Sequence, residues 1–299
     1  MSATISTPEP VRARGYFKNP WHRPRFLQAA TIGYLLWSML PVVIAVFFSF
    51  NDGRSRVTWQ GFSLRWWTGD PTNSLFHDAA MRAAMAQTYR LSILTVLVAV
   101  PLGTLFAIGV DRWHGRPARS ANFVMLLSFV VPEIILGVSL YILFSSLLKN
   151  VVHLGTGAQL LGLISYQISY PVIIVRARLL SIGPEYEEAA MDLGATPGQS
   201  IRRVLLPLLA PAIMASVALV FADTVDDFVT VNALSSSANT ETLAQKIYSA
   251  ARASPTPEIN AAATTMLITT LLVIAGGLIF YRRFNRGQTG VGAADFVQL

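Results

Sequence analysis

Cysteine is absent from this sequence. Its absence excludes disulfides, thiolate metal sites and thiol nucleophiles, and leaves the compartment open. Charge is scarce as well: 13% of the 299 residues are Asp, Glu, Lys or Arg, about half the share found in a soluble globular domain. Histidine is limited to His22, His77, His114 and His153, each near the end of an apolar run or between runs. No His-Glu-x-x-His pattern brings two of them onto one helix face. There is no G-x-x-x-x-G-K-[S/T] loop, so the chain lacks the phosphate cradle of the P-loop ATPases. No nucleophile–base or metal constellation stands out, which disfavours a membrane enzyme. No internal repeat is visible, which argues against a secondary transporter built from two inverted halves.

What the sequence has in quantity is apolar surface. Hydrophobic residues make up 53% of it, and its mean hydropathy is +0.49, too apolar for a soluble domain of this length. Six runs reach the roughly 20 residues needed to cross about 30 Å of hydrocarbon. They are Leu27–Phe50, Leu91–Val110, Ala121–Leu148, Leu154–Val175, Leu208–Leu234 and Ala261–Tyr281. Pro41, Pro101, Pro132 and Pro171 fall inside them, which membrane helices tolerate where neighbours re-satisfy the backbone. The run after the basic first 26 residues is too long for a signal-peptide core and lacks a small-x-small exit, so it reads as an uncleaved first span. The expected architecture is all-α and polytopic, with six transmembrane helices over 27–283, an N-terminal tail over 1–26 and a C-terminal tail over 284–299.

Lys and Arg set the orientation. With the N-terminus inside, fifteen of the 23 fall on cytoplasmic segments, Arg112, Arg116, Arg176, Arg178, Arg202 and Arg203 among them, and eight fall outside. That asymmetry predicts N-in, C-in. It also accounts for the net charge of +7 through residues flanking apolar spans, with membrane lipid rather than nucleic acid as the partner. Trp59, Phe62, Trp66 and Trp67 in the first outside loop are expected to form an interfacial belt, with docking of an extracellular protein as the alternative.

One polar loop between two apolar runs stands apart. Gly183-Pro184 opens a short helix, with Pro at the first helical position. Glu185, Glu187 and Glu188 crowd its start, where the dipole favours negative charge. Gly194 suits a left-handed cap. Thr196-Pro197-Gly198-Gln199 then reads as a capping box opening a second helix.

The stretch Glu188-Ala189-Ala190, then Gly194, then Leu206-Pro207 resembles the EAA loop of the membrane subunits of binding-protein-dependent ABC importers; Val204 stands where the pattern has Ile. The resemblance implies a type I importer permease fold and a coupling element over about 183–207 that docks on an ATPase. Glu187, Glu188, Ala189, Ala190, Gly194, Leu206 and Pro207 would carry the coupling. It implies three kinds of partner: a second homologous permease, an ABC ATPase dimer that binds ATP and Mg, and an extracytoplasmic substrate-binding protein. The chain itself would hold no cofactor and perform no catalysis.

The charges at membrane depth are all acids: Glu133 in the third run, and Asp223, Asp226 and Asp227 in the fifth. At about 1.5 Å per residue they lie at similar depths, about 18 Å and 22–28 Å from the starts of their runs. The i, i+3, i+4 spacing places the three aspartates on one helical face. Ionisable residues at depth usually line a pathway or pair with one another. An unneutralised acidic cluster points to a cationic cargo; protonation, a partner subunit's Arg, or a wet outer interface are the alternatives. The chain over about 27–283 also resembles the spermidine/putrescine branch of these permeases, through Trp59-Gln60-Gly61-Phe62, Pro132-Glu133-Ile134, Asp226-Asp227-Phe228 and Leu243–Ser249, continuing over Ser254–Ala261. Ferric iron or another small solute carried by the same machinery is the alternative cargo.

Overall fold

A computed structural model describes residues 25–55, 58–112, 115–253 and 256–284. The tails other than Arg25, Phe26 and Phe284 lie outside the described residues, as do His22, His114, Ser254, Pro255 and, of the charges used for orientation, Arg12, Arg14, Lys18, Arg23, Arg56 and Arg286. Among the described residues the chain is helical, with one isolated bridge between Asn51 and Phe62 and no strand. The helices are α1 (Arg25–Phe48), α2 (Ala79–Arg112), α3 (Arg116–Val130), α4 (Glu133–Ile142), α5 (Thr156–Gln167), α6 (Ser169–Ile182), α7 (Glu185–Asp192), α8 (Pro197–Ser200), α9 (Leu206–Asp226), α10 (Val229–Leu234), α11 (Leu243–Ala253) and α12 (Glu258–Phe284). Five stretches are long and apolar enough to cross a membrane: Phe26–Phe48, Ala79–Arg112, Thr156–Ile182, Pro197–Asp226 and Glu258–Phe280. Glu133–Leu147 is a shorter apolar helix.

Helix α2 is the centre of the bundle and packs on α5, α6, α9 and α11. Its 34 residues reach about 50 Å at 1.5 Å per residue, well beyond the hydrocarbon thickness. Its buried side is rich in small and hydroxyl side chains, Ala84, Thr88, Ser92, Thr95, Ala99, Gly103 and Thr104. Such residues let membrane helices approach closely. Gly103 shows the limit: a Cβ there would sit 2.5 Å from Pro171 Cγ and 2.9 Å from the Ile168 carbonyl, so any side chain would push α2 off α6.

Two apolar clusters mark the poles of the bundle. At one, Met81 and Ala84 of α2 meet Phe221 and Val225 of α9, Leu243, and Ala261 and Ala262 of α12. At the other, Ala107 and Ile108 of α2 meet Val175 and Leu179 of α6 with Leu205 and Leu209. Helix α9 therefore runs antiparallel to α2, as alternating spans require.

Three expectations need correction. The third run is not one helix: it breaks at Val131-Pro132, because proline cannot donate to the turn before it and biases Val131 to its extended ψ of 128°. The fifth run breaks at Asp227, whose ψ of 120° ends α9 before the short α10 begins. Trp66 is not part of a surface belt. It is 1% exposed, and its indole N–H donates to the Asn51 carbonyl at 2.7 Å, making it the anchor of the loop between α1 and α2. Asp70 in that loop accepts backbone N–H bonds from Thr72 and Asn73 at 3.0 and 2.9 Å, which hold its carboxyl well below the usual carboxylate range.

Candidate functional site

At the pole formed by α6 and the start of α9, the polar loop folds into a helix, a glycine corner and a second helix. Gly183 (φ +75°) ends α6, its N–H bonded to the Leu179 carbonyl. Pro184 is the N-cap of α7 rather than its first helical residue. Gly194 has φ +89°. Its N–H reaches the Met191 carbonyl at 2.9 Å, and the Ala195 N–H reaches Ala190 at 3.0 Å. These are the two closing bonds of a Schellman cap. Thr196 and Gln199 form the capping box, at 3.4 and 3.0 Å, with Pro197 opening α8. The turn over Ile201–Leu205 is π-helical, the Leu206 N–H reaching back to Ile201. Pro207 has no N–H to contribute there, which favours the wider turn.

The two adjacent glutamates point in opposite directions. Glu187 is buried and paired with Arg112 at the end of α2; its carbonyl also accepts from the Ser200 hydroxyl at 3.3 Å. Glu188 and Ala189 face outward, Ala190 is half-buried, and Leu206 and Pro207 lie half-buried behind the corner. Around the outward face, Tyr186, Met191 and Leu193 expose apolar side chains, Leu193 at 91%. Arg112 was legible in the sequence only as one of the inside charges, since nothing local links it to a glutamate 75 residues away.

The pair ties the corner to the longest helix of the bundle. In the importer that the EAA resemblance implies, Arg112→Ala is expected to lower stimulated ATP hydrolysis about threefold to tenfold, the worth of a charge-assisted hydrogen bond at a partly exposed site. Glu187→Gln keeps an oxygen for Arg112 and should lose less. Unaltered stimulation in Arg112→Ala would show that the pair has no part in transmission.

The acids collect near two interruptions, Val131-Pro132 between α3 and α4 and Asp227-Phe228 between α9 and α10, while α5 runs on into α6 through a helical Ile168. Non-helical backbone at membrane depth is tolerated where protein buries it or a cavity adjoins it. Glu133 opens α4 and lines a cleft with Phe129, Val131, Leu136, Tyr166 and Tyr170. Tyr166 spans from that cleft to Asp227, to which its hydroxyl donates. Asp227 also accepts the Val231 N–H of α10 at 3.0 Å. Asp223, half-buried, accepts from Gln167 Nε2 at 2.6 Å. The one-face expectation is corrected by the break: Asp227 has left the helix and is 7% exposed, while Asp226, the last residue of α9, is exposed. None of the four acids forms an ion pair among the described residues. Tyr166 and Gln167 went unnoticed in the sequence because one tyrosine and one glutamine within an apolar run carry no signal until the break aims them.

Residues 99–290 match the family described as binding-protein-dependent transport system inner membrane component. The chain belongs to that family. It is a multi-pass bacterial inner-membrane protein with the fold of an ABC importer permease. Among its relatives, the spermidine/putrescine transport system permease protein PotC of Escherichia coli K12 is 29% identical over 84% of this chain and 92% of its own. The putrescine transport system permease protein PotI of the same organism is 31% identical over 84% of this chain and 86% of its own. Among solved structures, a bacterial ABC transporter involved in import of the acidic polysaccharide alginate superposes with a TM-score of 0.71. It is 18% identical and covers 87% of this permease and 96% of its own chain. That likeness concerns fold alone: its cargo is acidic, whereas the interrupted spans of this permease carry carboxylates.

Proposed function

We propose that this chain is a non-catalytic permease subunit of an ATP-driven importer and that its cargo is a polyamine such as spermidine or putrescine. The observation that carries the cargo is the group Glu133, Asp223, Asp226 and Asp227 around two helix interruptions, without an ion-pair partner among the described residues. Such a group attracts cations and repels anions. The kinship with PotC and PotI supports the same cargo. The importer consists of this subunit, a second homologous permease, an ABC ATPase dimer that binds ATP and Mg, and an extracytoplasmic binding protein. This chain lies N-in, C-in with six spans, the orientation supported by the Lys and Arg asymmetry. The outward face of α7, with Glu188, Ala189 and exposed Leu193, docks on the ATPase. Closure of the ATPase dimer moves the corner and rocks the bundle as a rigid-body gate.

The test is uptake of labelled putrescine by the four-component complex in proteoliposomes. Accumulation should require ATP and binding protein, and unlabelled spermidine should compete while a neutral sugar should not. In the cysteine-free chain, Asn239→Cys should react from outside intact cells and Asp192→Cys only after permeabilisation. Uptake without ATP, or no uptake at all, would overturn the importer or the cargo respectively; outside labelling at Asp192→Cys would overturn the orientation.

A further inference from the structure

Helix α11 is strongly two-sided, and the function above uses neither side. Its N-terminal end is fixed. Leu243 is fully buried, and its N–H donates to Thr88 Oγ1 of α2 at 2.8 Å. Gln245 accepts the Thr242 N–H at 2.7 Å and donates to Asn232 at 3.2 Å. Tyr248 and Arg252, one turn apart, share an exposed face, while Lys246 is half-buried on another side of the helix. Lys246 is paired with Glu241 at 2.8 Å. Arg252, exposed and one turn beyond Tyr248, has no carboxylate partner among the described residues. Its guanidinium carbon lies 4.4 Å from the centroid of the Tyr248 ring. Tyr248 is 42% exposed, and its ring rests on Phe228, centroid to centroid 4.5 Å. Phe228 belongs to the unwound junction, directly after Asp226 and Asp227.

The column Arg252–Tyr248–Phe228 thus runs from the surface to the acidic break. We propose that the exposed face of Tyr248, backed by Phe228, is a receiving site for one primary ammonium end of a di- or polyamine. Arg252 occupies it when cargo is absent. The chemistry is that of a cation on an aromatic face: the ring quadrupole attracts any cation of suitable approach and offers nothing to anions or neutral solutes. A guanidinium held there without a carboxylate is exchangeable for an ammonium. Phe228, behind the ring, directly follows Asp226 and Asp227 in the chain, so an ammonium leaving the ring has the carboxylates at the end of α9 ahead of it. This inference rests on the polyamine reading and identifies where such cargo first touches the permease.

The experiment is a double-mutant cycle in the assembled importer, reading labelled putrescine moved per ATP hydrolysed at saturating loaded binding protein, with complex yield measured alongside. Tyr248→Leu removes the ring face and should lower that ratio about twofold to fivefold, the factor an exposed cation–π contact is worth. Tyr248→Phe keeps the face and should restore it. Arg252→Gln should raise the ratio when the ring is present and leave it unchanged in the Tyr248→Leu background. An unchanged ratio in Tyr248→Leu, or an equal effect of Arg252→Gln with and without the ring, would overturn the receiving site and leave the polyamine cargo standing. No putrescine uptake by the unaltered complex would overturn both.

Discussion

Gly194→Val is expected to leave the protein in the membrane and to cut cargo-stimulated ATP hydrolysis by about tenfold, within the range that strained backbone energies allow. The reason is conformational alone. Nothing lies within 4 Å of a Cβ built at Gly194, so an added side chain meets open space. The backbone is what resists, because φ is +89°, a region that costs a β-branched residue about 1–3 kcal/mol. Relief of that strain breaks the Gly194 and Ala195 bonds back to Met191 and Ala190 and turns α7 relative to α8. Gly194→Asn, which tolerates positive φ better, should retain most of the stimulation. Hydrolysis by reconstituted complexes, normalised to complex yield, decides it. Normal stimulation in Gly194→Val would sink the assignment of this corner as the transmission element.

The second large effect separates two neighbouring aspartates. Asp227→Ala should reduce both complex yield and uptake, because it strands the Tyr166 hydroxyl and the Val231 N–H in a buried place. Each stranded group costs about 1–3 kcal/mol. Asp226→Asn removes an exposed charge and should slow polyamine uptake at normal yield, by about fivefold or more if that carboxylate meets the cargo as a charged hydrogen-bond partner. The spacing was expected to place both on one helical face. The break after Asp226 makes Asp227 a buried structural acceptor and leaves Asp226 exposed. Uptake of labelled putrescine beside yield in detergent reads both. Equal yield and full uptake in Asp227→Ala would refute the structural role, and full-rate uptake in Asp226→Asn would take that carboxylate off the path.

The corner was legible because every signal in it is local. Three acids open α7, a glycine supplies the positive φ that few other residues adopt, and Thr196, Pro197 and Gln199 write a capping box within four residues. The one misplacement there is a single position, Pro184 at the cap. The opposite pole was less legible. Trp66 reads like an interfacial tryptophan until Asn51, 15 residues earlier, is seen to accept its N–H.

By itself, then, the sequence determined a helical membrane protein, the helix–glycine–helix corner and the presence of acids at depth, since length, hydropathy and capping act within a few turns of chain. Only the tertiary structure decided that Glu187 turns inward to Arg112 while Glu188 turns outward. It likewise decided that the breaks at Pro132 and Asp227 lie near one another, that Asp226 and Asp227 part company, and that Arg252, Tyr248 and Phe228 stack. Most of those outcomes depend on pairings between residues 20 or more positions apart, as with Phe228 and Tyr248 or Arg112 and Glu187, and on where a bent backbone aims a side chain. Neither is encoded in the periodicity of any single helix.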